Sequence, residues 1–306
     1  MGIVVCSIMK MRERPWASFN KIIFCSSQTG FSAPVLEGIF TKYCGPGTPI
    51  RGRRDLFNLL KFAKTYPTVR VHTSRLGGAQ LGYGYDSTKI NQQFEYLASV
   101  VNELAEPLRR RHESHNRIPR LFSRNVIGSV DTFPLRVQCR KGYMRQRVLY
   151  AGKYKCHVLK FQAVVDNSGN YLWFSGPHVG SEADGNLWKR RRPSFLTSRE
   201  RLLADKAYCG AVFERRLHVI PPFKKPRGGE RTQAQSAFNY LHSFHRVKCE
   251  HAFGFLKRFG ILSQRYRGRV DSTGVRKVHA IMKVLMHLSQ FKKNSEPYRN
   301  ASDCLA

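Results

Sequence analysis

Short apolar runs that end on an acid constrain the fold of this chain more than any other feature. The segments "NVIGSVD" (residues 125–131) and "RLLAD" (201–205) each give a few apolar residues and then a carboxylate. Between them, "HVLKFQAVVDNSGNYLWFSG" (157–176) has two strand-like segments around a polar turn at residues 166–170. Short apolar runs bounded by turn residues predict strands of a buried sheet.

Helical patterns follow these strands. After the loop "PPFKKPRGGERTQ" (221–233), the segment "SFHRVKCEHAFGFLKRFGIL" (243–262) predicts a long helix, and "GVRKVHAIMKVLMHLSQF" (274–291) predicts a last one. The order of strand, two-stranded hairpin, helix, strand and then helices predicts an α/β domain whose mixed sheet is covered by helices. In the first of these helices, the residues expected to form the stripe facing the core are Ala252, Phe255, Leu256 and Phe259.

The region before the strands has helical periodicity of its own. The segments "RRDLFNLLKFAKTYPTVRVHTSRLGG" (53–78) and "YDSTKINQQFEYLASVVNELAEPL" (85–108) predict three helices, with Pro67 between the first two. This arrangement is similar to a helix-turn-helix, and a plain helical bundle is the alternative. The apolar face expected on the third helix comprises Ile90, Phe94, Leu97, Val101 and Leu104.

These patterns divide the chain into four parts. Residues 1–50 show no clear periodicity and are predicted to be irregular. Residues 51–112 form the helical, helix-turn-helix-like segment, and residues 125–292 form the α/β domain. Residues 293–306 are expected to be a tail.

Charge points to a polyanionic partner. The 306 residues include 53 Lys and Arg against 20 Asp and Glu, which gives a formal net charge of +33. Such self-repulsion does not help a fold, so a nucleic acid is the expected partner, with an anionic membrane surface or packing against RNA as alternatives. No apolar run approaches the roughly 20 residues of a spanning helix, so we expect no membrane insertion.

Two basic runs bear on localisation. The sequences "KRRRP" (189–193) and "RRRH" (109–112) are compatible with nuclear import signals. Solvated or phosphate-contacting surface runs account for them equally well.

Because acids are scarce, the positions of Asp131, Asp205 and Glu250 carry information. Taken singly, Asp131 could cap a turn before Pro134, and Glu250 could pair with Arg246 at i−4. Asp205 could pair with Lys206 or cap the segment after it. If the three meet, two carboxylates about 4 Å apart repel by roughly 4 kcal/mol at an effective dielectric near 20. Retained protons or bound divalent cations would then have to compensate the charge, and Mg²⁺ suits carboxylates combined with phosphate oxygens.

Four motifs occur in an order that resembles a known family. The segments "GSVD", "HVGSEADGNLW", "LLADKAY" and "CEHAFGFLKRFGIL" are similar to those of the Harbinger-type, Asp-Asp-Glu (DDE) superfamily of transposases and derived endonucleases. The resemblance covers roughly residues 50–290. It implies a ribonuclease H-like fold, cleavage and joining of DNA strands with two Mg²⁺ or Mn²⁺ ions, and action in a eukaryotic nucleus.

By position, the resemblance makes Asp131, Asp205 and Glu250 the catalytic, metal-binding acids. It makes Asp184, in "GSEAD", a further metal ligand, although a helix-start cap is the alternative there. It also implies that Tyr208 packs beside Asp205. The pair Lys257 and Arg258 would contact phosphate, with a solvated helix end as the alternative.

The chain departs from the family pattern next to two of its acids. Residues Thr132, Phe133 and Pro134 stand where the family usually has Gly-Thr-His after its first Asp, and Ala207 replaces a usual Gly. A DNA-binding derivative without catalytic activity is therefore the alternative to an active enzyme.

The implied partners are DNA, in particular terminal inverted repeats, a separate Myb-like protein, and a second copy of the chain in a homo-oligomer.

Overall fold

A computed structural model gives the structure of the protein. It describes residues 22–67, 87–101, 125–139, 146–209 and 217–295. The chain divides into two compact units, one helical and one built around a sheet. The helical unit takes residues 1–102, 256–265 and 272–306, and the sheet unit takes residues 103–255 and 266–271.

The helices are numbered in chain order. They are α1 (Ile22–Thr29), α2 (Ala33–Tyr43), α3 (Arg53–Thr65), α4 (Ser87–Val100), α5 (Gln146–Leu149), α6 (Asp184–Arg191), α7 (Gln233–Leu256), α8 (Gly260–Ser263) and α9 (Ser272–Ser295). Two short 3₁₀ turns lie at Gly152–Tyr154 and Lys206–Tyr208.

The strands form one mixed sheet, which confirms the α/β class and is consistent with the ribonuclease H-like fold that the resemblance implied. The strands are β1 (Val126–Arg136), β2 (Tyr150–Ala151), β3 (Cys156–Asp166), β4 (Tyr171–Val179), β5 (Arg201–Leu203) and β6 (Val219–Ile220). In order across the sheet they run β2-β3-β1-β5-β6, and β4 also pairs with β3. The pairs of β1 with β3 and of β3 with β4 are antiparallel, whereas β1 with β5 and β5 with β6 are parallel.

The core of the sheet unit explains why its strands are continuous apolar runs. Strands buried on both faces need no polar alternation. Trp188 of α6 is fully buried, and its indole N–H donates to the carbonyl of Leu217 at 2.7 Å. Gly128 lets β1 and β3 approach, because a Cβ there would lie 2.2 Å from the carbonyl oxygen of Val165. The other members of this core are Ile127, Val130, Val164, Leu172, Leu202, Ala204, Tyr208 and Val219.

Strand β1 is longer than its sequence predicted. We expected it to end at Asp131, but it continues to Arg136 because β3 pairs with it along that whole length. Phe133 and Leu135 are buried there. Pro134 is tolerated because, among the described strands, β1 pairs beyond Ser129 with β3 alone, and an edge position needs no second ladder of hydrogen bonds.

Helix α7 also differs from its prediction. It begins ten residues earlier than the pattern suggested, at Gln233, and it ends at Leu256, so Phe259 lies outside it. Because the helix ends there, the 252–259 stripe does not form one helical face. The buried face is instead Cys249, Phe253 and Leu256, while Ala252 and Phe255 are half-buried.

The helical unit corrects the prediction that residues 1–50 are irregular, since α1 and α2 lie within that range. In α2 a proline in the first turn precedes apolar residues at helical spacing, and Val35, Leu36 and Ile39 are buried. This face packs on α9, where the Tyr43 hydroxyl lies 2.7 Å from Nε2 of His287. Residues 1–21 lie outside the described ranges.

Helices α3 and α4 appear where the sequence predicted them. Leu56, Leu59 and Leu60 are buried in α3, which ends at Thr65, and Tyr66 caps it in the left-handed conformation with φ of 44°. In α4, which begins at Ser87, the predicted face is buried up to Val101. The predicted middle helix and Leu104 lie outside the described residues.

Helix α9 belongs to the helical unit, where it packs on α4 and α2. The sequence predicted that this helix lies in the α/β domain of residues 125–292. The helix continues to Ser295, three residues into the predicted tail. No helix in the described residues is long and apolar enough to cross a membrane.

Candidate active site

The parallel pairing of β1 and β5 brings two of the predicted acids to the same level of the sheet. Ser129 of β1 is in register with Leu203 of β5, so Asp131 and Asp205 each lie two residues beyond a matched pair. Neighbouring strands lie about 4.8 Å apart. Asp131 and Asp205 therefore lie near each other at the edge where β5 ends, and the charge of Asp205 acts on Asp131.

The two carboxylates are held in the same way. The backbone N–H of Thr132 donates to Oδ1 of Asp131 at 2.8 Å, and that of Lys206 donates to Oδ1 of Asp205 at 2.6 Å. In both cases the next residue in the chain fixes one carboxylate oxygen. The 3₁₀ turn after Asp205 then carries Tyr208 back into the core, where it is fully buried.

Helix α7 brings the third acid to this edge through an arginine. Arg246 donates to Oδ2 of Asp131 at 2.8 Å and to Oε1 of Glu250 at 2.5 Å. Glu250 lies one helical turn after Arg246. The sequence suggested an ion pair between these two residues as the alternative role of Glu250, and the structure contains that pair. The same guanidinium also contacts Asp131, and this joins Glu250 to the sheet.

Burial sets the electrostatics of the first acid. Desolvation raises the pKa of Asp131, and the nearby charge of Asp205 raises it further. The N–H of Thr132 and the charge of Arg246 lower this pKa, but the net shift is upward. Desolvation lowers the pKa of Arg246, whereas the charges of the three acids raise it, and its net shift is also upward. All three acids thus lie within electrostatic reach of one cation.

Asp184 has different surroundings. Its Oδ1 accepts from the Lys160 ammonium at 3.0 Å, and both side chains are only 8% exposed. The ammonium also donates to the carbonyl of Glu182 at 2.6 Å. A buried lysine therefore compensates the charge of Asp184, and the role of Asp184 as a metal ligand, which the resemblance implied, stays a prediction.

Comparison with known proteins decides the family. The sequence profile of a family described as "DDE superfamily endonuclease" matches residues 130–290, more than half of the chain, and this range contains all four acids. The chain belongs to this family. No solved structure matches it.

Part of the chain is also similar to a curated protein. The "Probable transposase for insertion sequence element IS702" of Microchaete diplosiphon is 31% identical over 133 residues. The match covers 43% of this chain and 47% of that protein, so the chain spans about half the length of its relative.

A buried polar layer lies beneath the acids of the DDE domain. Nε2 of Gln162 donates to the Tyr208 hydroxyl at 2.9 Å and to the carbonyl of Asp184 at 2.8 Å. Oγ1 of Thr132 lies 3.4 Å from the same hydroxyl. Thr132, the first residue that departs from the usual family sequence, is therefore part of this layer, and Phe133 packs edge-on against Phe253 with ring centroids 5.5 Å apart.

A second cation stands near the acids. Lys153 is exposed, and burial lowers the pKa of its ammonium. The phenol of Tyr154 and the carboxylates of Asp184, Asp205 and Asp131 raise that pKa, and the net shift is upward. The acids at this edge of the DDE domain therefore form a negatively charged centre, and the cations Arg246 and Lys153 lie near it.

The donor chemistry of this centre suits a hard divalent cation. Asp131, Asp205 and Glu250 offer only oxygens, which Mg²⁺ and Mn²⁺ prefer. In the part of the chain that the structure describes, no three His, Cys, Asp or Glu side chains converge as the ligands of one ion. Instead, the Arg246 guanidinium bridges Asp131 and Glu250.

Some residues of this site had a sequence signal that could have been used. Lys160 and Gln162 are polar residues two positions apart in the apolar run "HVLKFQAVV", which indicates a polar layer on one face of that strand. His242, Arg246 and Glu250 follow each other at four-residue spacing on α7. Lys153 had no comparable signal.

Lys257 and Arg258, expected to contact phosphate, are both exposed in the helical unit.

Proposed function

We propose that this protein is a DNA endonuclease of the transposase type that depends on Mg²⁺ or Mn²⁺. The observation that carries the proposal is the register of β1 and β5, which brings Asp131 and Asp205 to one edge. Glu250 reaches the same edge through Arg246. Two carboxylates with one oxygen each held by backbone, plus a third on a helix, form an oxygen-donor set for cations that handle phosphate.

In this proposal Asp131, Asp205 and Glu250 hold the ions. When bound, two divalent ions would activate the attacking oxygen and stabilise the leaving oxygen of an in-line displacement at phosphorus. The N–H groups of Thr132 and Lys206 keep the first two carboxylates in place. Asp184 supports the site through the layer of Lys160 and Gln162.

The proposed substrate is DNA. A net charge of +33 favours binding of a polyanion, and each phosphate contact on duplex DNA contributes roughly −0.9 to the log-log salt slope. A Harbinger-type specificity for terminal inverted repeats, a Myb-like accessory protein, a homo-oligomer and nuclear localisation are further parts of the proposal. The resemblance supports the repeats, the Myb-like protein and nuclear localisation, and the exposed basic residues at the end of α6 also support nuclear localisation.

Cleavage of supercoiled plasmid by the purified full chain tests the proposal. We expect nicking with Mg²⁺ or Mn²⁺ and none with EDTA. Asp205→Asn should reduce the nicking rate by about 10³-fold or more while DNA binding persists, because removing a group that acts on transition-state charge costs several kcal/mol. Nicking that survives Asp205→Asn would refute the assignment.

The matched control is Glu230→Gln. It removes the same charge from an exposed residue that pairs with Lys225 in the loop before α7. We expect this variant to nick DNA at the wild-type rate.

The second candidate is a DNA-binding derivative without catalytic activity. The departures at Thr132, Phe133 and Pro134 and the guanidinium bridge between two of the acids favour it. It predicts DNA binding that weakens steeply with salt, with no nicking in either metal. The plasmid assay therefore separates the two candidates.

A further inference from the structure

The bridge made by Arg246 has an unusual position for a structural ion pair. Its guanidinium contacts Asp131 at 2.8 Å on the sheet and Glu250 at 2.5 Å on its own helix. The side chains of Arg246 and Asp131 are 19% and 23% exposed, whereas that of Glu250 is 54% exposed. The bridge thus runs from a mostly buried carboxylate to one that faces solvent.

We infer that Arg246 is a placeholder cation, which holds Asp131 and Glu250 together until a divalent ion replaces it between them. This inference rests on the proposed function, because it takes Asp131 and Glu250 as the groups that bind the ion. It makes Arg246 a positioning residue, since it acts through the two carboxylates.

The neighbouring contacts explain why Arg246 is able to leave. Asp131 keeps its backbone hydrogen bond from Thr132 whether or not the guanidinium is present. Glu250 is exposed enough to change rotamer, and an ion pair with a solvent-exposed partner contributes little to stability. The donor set therefore stays in place while its cation is exchanged.

Electrostatics explains why the exchange would set ion affinity. A divalent ion held by Asp131 and Glu250 would compete with the guanidinium for their carboxylate oxygens, and the two cations would repel each other. Ion binding would then displace Arg246 from the two carboxylates that it now contacts. A variant without the guanidinium omits that step and should bind the ion more tightly.

Calorimetric titration of the full chain with Mn²⁺, without DNA, tests the inference. We expect Arg246→Gln to bind Mn²⁺ about tenfold or more tightly than wild type, because competition and repulsion are both removed. Arg246→Lys should lie between the two, since one ammonium does not match the two-armed geometry of a guanidinium. Mn²⁺ should also raise the melting temperature of Arg246→Gln more than that of wild type.

Lys248→Gln is the matched control. Lys248 is exposed on the same helix two residues away, so the substitution removes one charge without touching the bridge. We expect its Mn²⁺ affinity to stay within about twofold of wild type, because exposed charges are screened. Equal tightening in Lys248→Gln would indicate a general charge effect and overturn the inference.

The remaining outcomes separate this inference from the proposed function. If Arg246→Gln binds Mn²⁺ equally or more weakly than wild type, Arg246 is not a placeholder, while metal-dependent nicking by the wild type would still stand. If Arg246→Gln does not fold, unchanged or weaker binding by Arg246→Lys overturns the inference. If no variant binds Mn²⁺, the proposed function fails and the inference fails with it.

Discussion

Two cation–carboxylate assemblies of the sheet unit differ in burial. Lys160 and Asp184 form a pair in which both side chains are 8% exposed. Arg246 bridges Asp131 and Glu250, and the exposed fraction of the side chains rises to 54% at Glu250. A buried pair is costly to separate because each partner would be left as an uncompensated charge, whereas a solvent-facing bridge exchanges easily. We therefore interpret the first assembly as structural and the second as the one that binds ligands.

A chain of buried polar groups connects the two assemblies. It runs from Asp184 through Gln162 and the Tyr208 hydroxyl to Thr132, whose N–H holds Asp131. Because the connecting side chains have few alternative partners, the buried Lys160–Asp184 pair supports the bridge made by Arg246. Through this connection, a change at Asp184 can reach the carboxylate of Asp131.

The largest effect should come from removing the cation of the buried pair. Lys160→Met leaves Asp184 buried and unpaired, and we expect the free energy of unfolding to fall by about 3–5 kcal/mol. Urea unfolding followed by circular dichroism measures this. Lys153→Met, the same substitution at an exposed lysine near the same acids, should cost no more than about 1 kcal/mol.

The double variant Lys160→Met, Asp184→Asn sharpens this result. It removes both charges, so it should recover part of the stability lost in the single variant. If Lys160→Met costs no more than Lys153→Met, the two assemblies do not differ in the way that their burial indicates.

A smaller effect should follow when the connection between the assemblies is cut. Tyr208→Phe keeps the buried ring and removes the hydroxyl that accepts from Gln162, so we expect a loss of about 1 kcal/mol in unfolding free energy. Metal-dependent nicking should fall as well, because Thr132 is less firmly placed beside Asp131. A variant with unchanged stability and nicking would show that the two assemblies are independent.

The sequence predicted the sheet and its acids better than it predicted their surroundings. Apolar runs and turn residues were enough to locate β1, β3, β4 and β5, whereas the two-residue strands β2 and β6 were not predicted. The two Asp residues followed from where the apolar runs stop. Strand β1 was predicted too short because the sequence of β1 does not report that β3 pairs with it as far as Arg136. How far a neighbouring strand extends depends on residues that are distant in the sequence. The local apolar pattern of one strand therefore gives little information about it.

The helical predictions failed where tertiary packing decides the structure. Helix α2 was missed because its short apolar pattern becomes a helix face only through contact with α9, far along the chain. The buried face of α7 shifted because the helix ends at Leu256. Arg246 was noticed only as the i−4 neighbour of Glu250, since its contact with Asp131 spans 115 residues and no spacing rule reaches that far.

The smallest predicted effect concerns the pH dependence of the exchangeable assembly. Burial raises the pKa of Asp131 above its ordinary value of 3.8, so the native state holds this proton at a higher pH than the unfolded chain does. Between the pKa of Asp131 in the unfolded chain and its higher pKa in the native state, the native state binds more protons than the unfolded chain. The Asp131 contribution to stability therefore rises as the pH falls through this window. Asp131→Asn lacks this contribution.

Urea unfolding in EDTA at a series of pH values, for wild type and Asp131→Asn, measures the difference. We expect the stability of wild type relative to the variant to increase on acidification, and a constant or opposite trend would contradict the pKa direction. The expected trend means that the ionised Asp131 carries an unfavourable desolvation energy at neutral pH even with Arg246 beside it. A bound divalent ion would offset that energy more fully than a single guanidinium, which gives the site a thermodynamic reason to exchange one cation for the other.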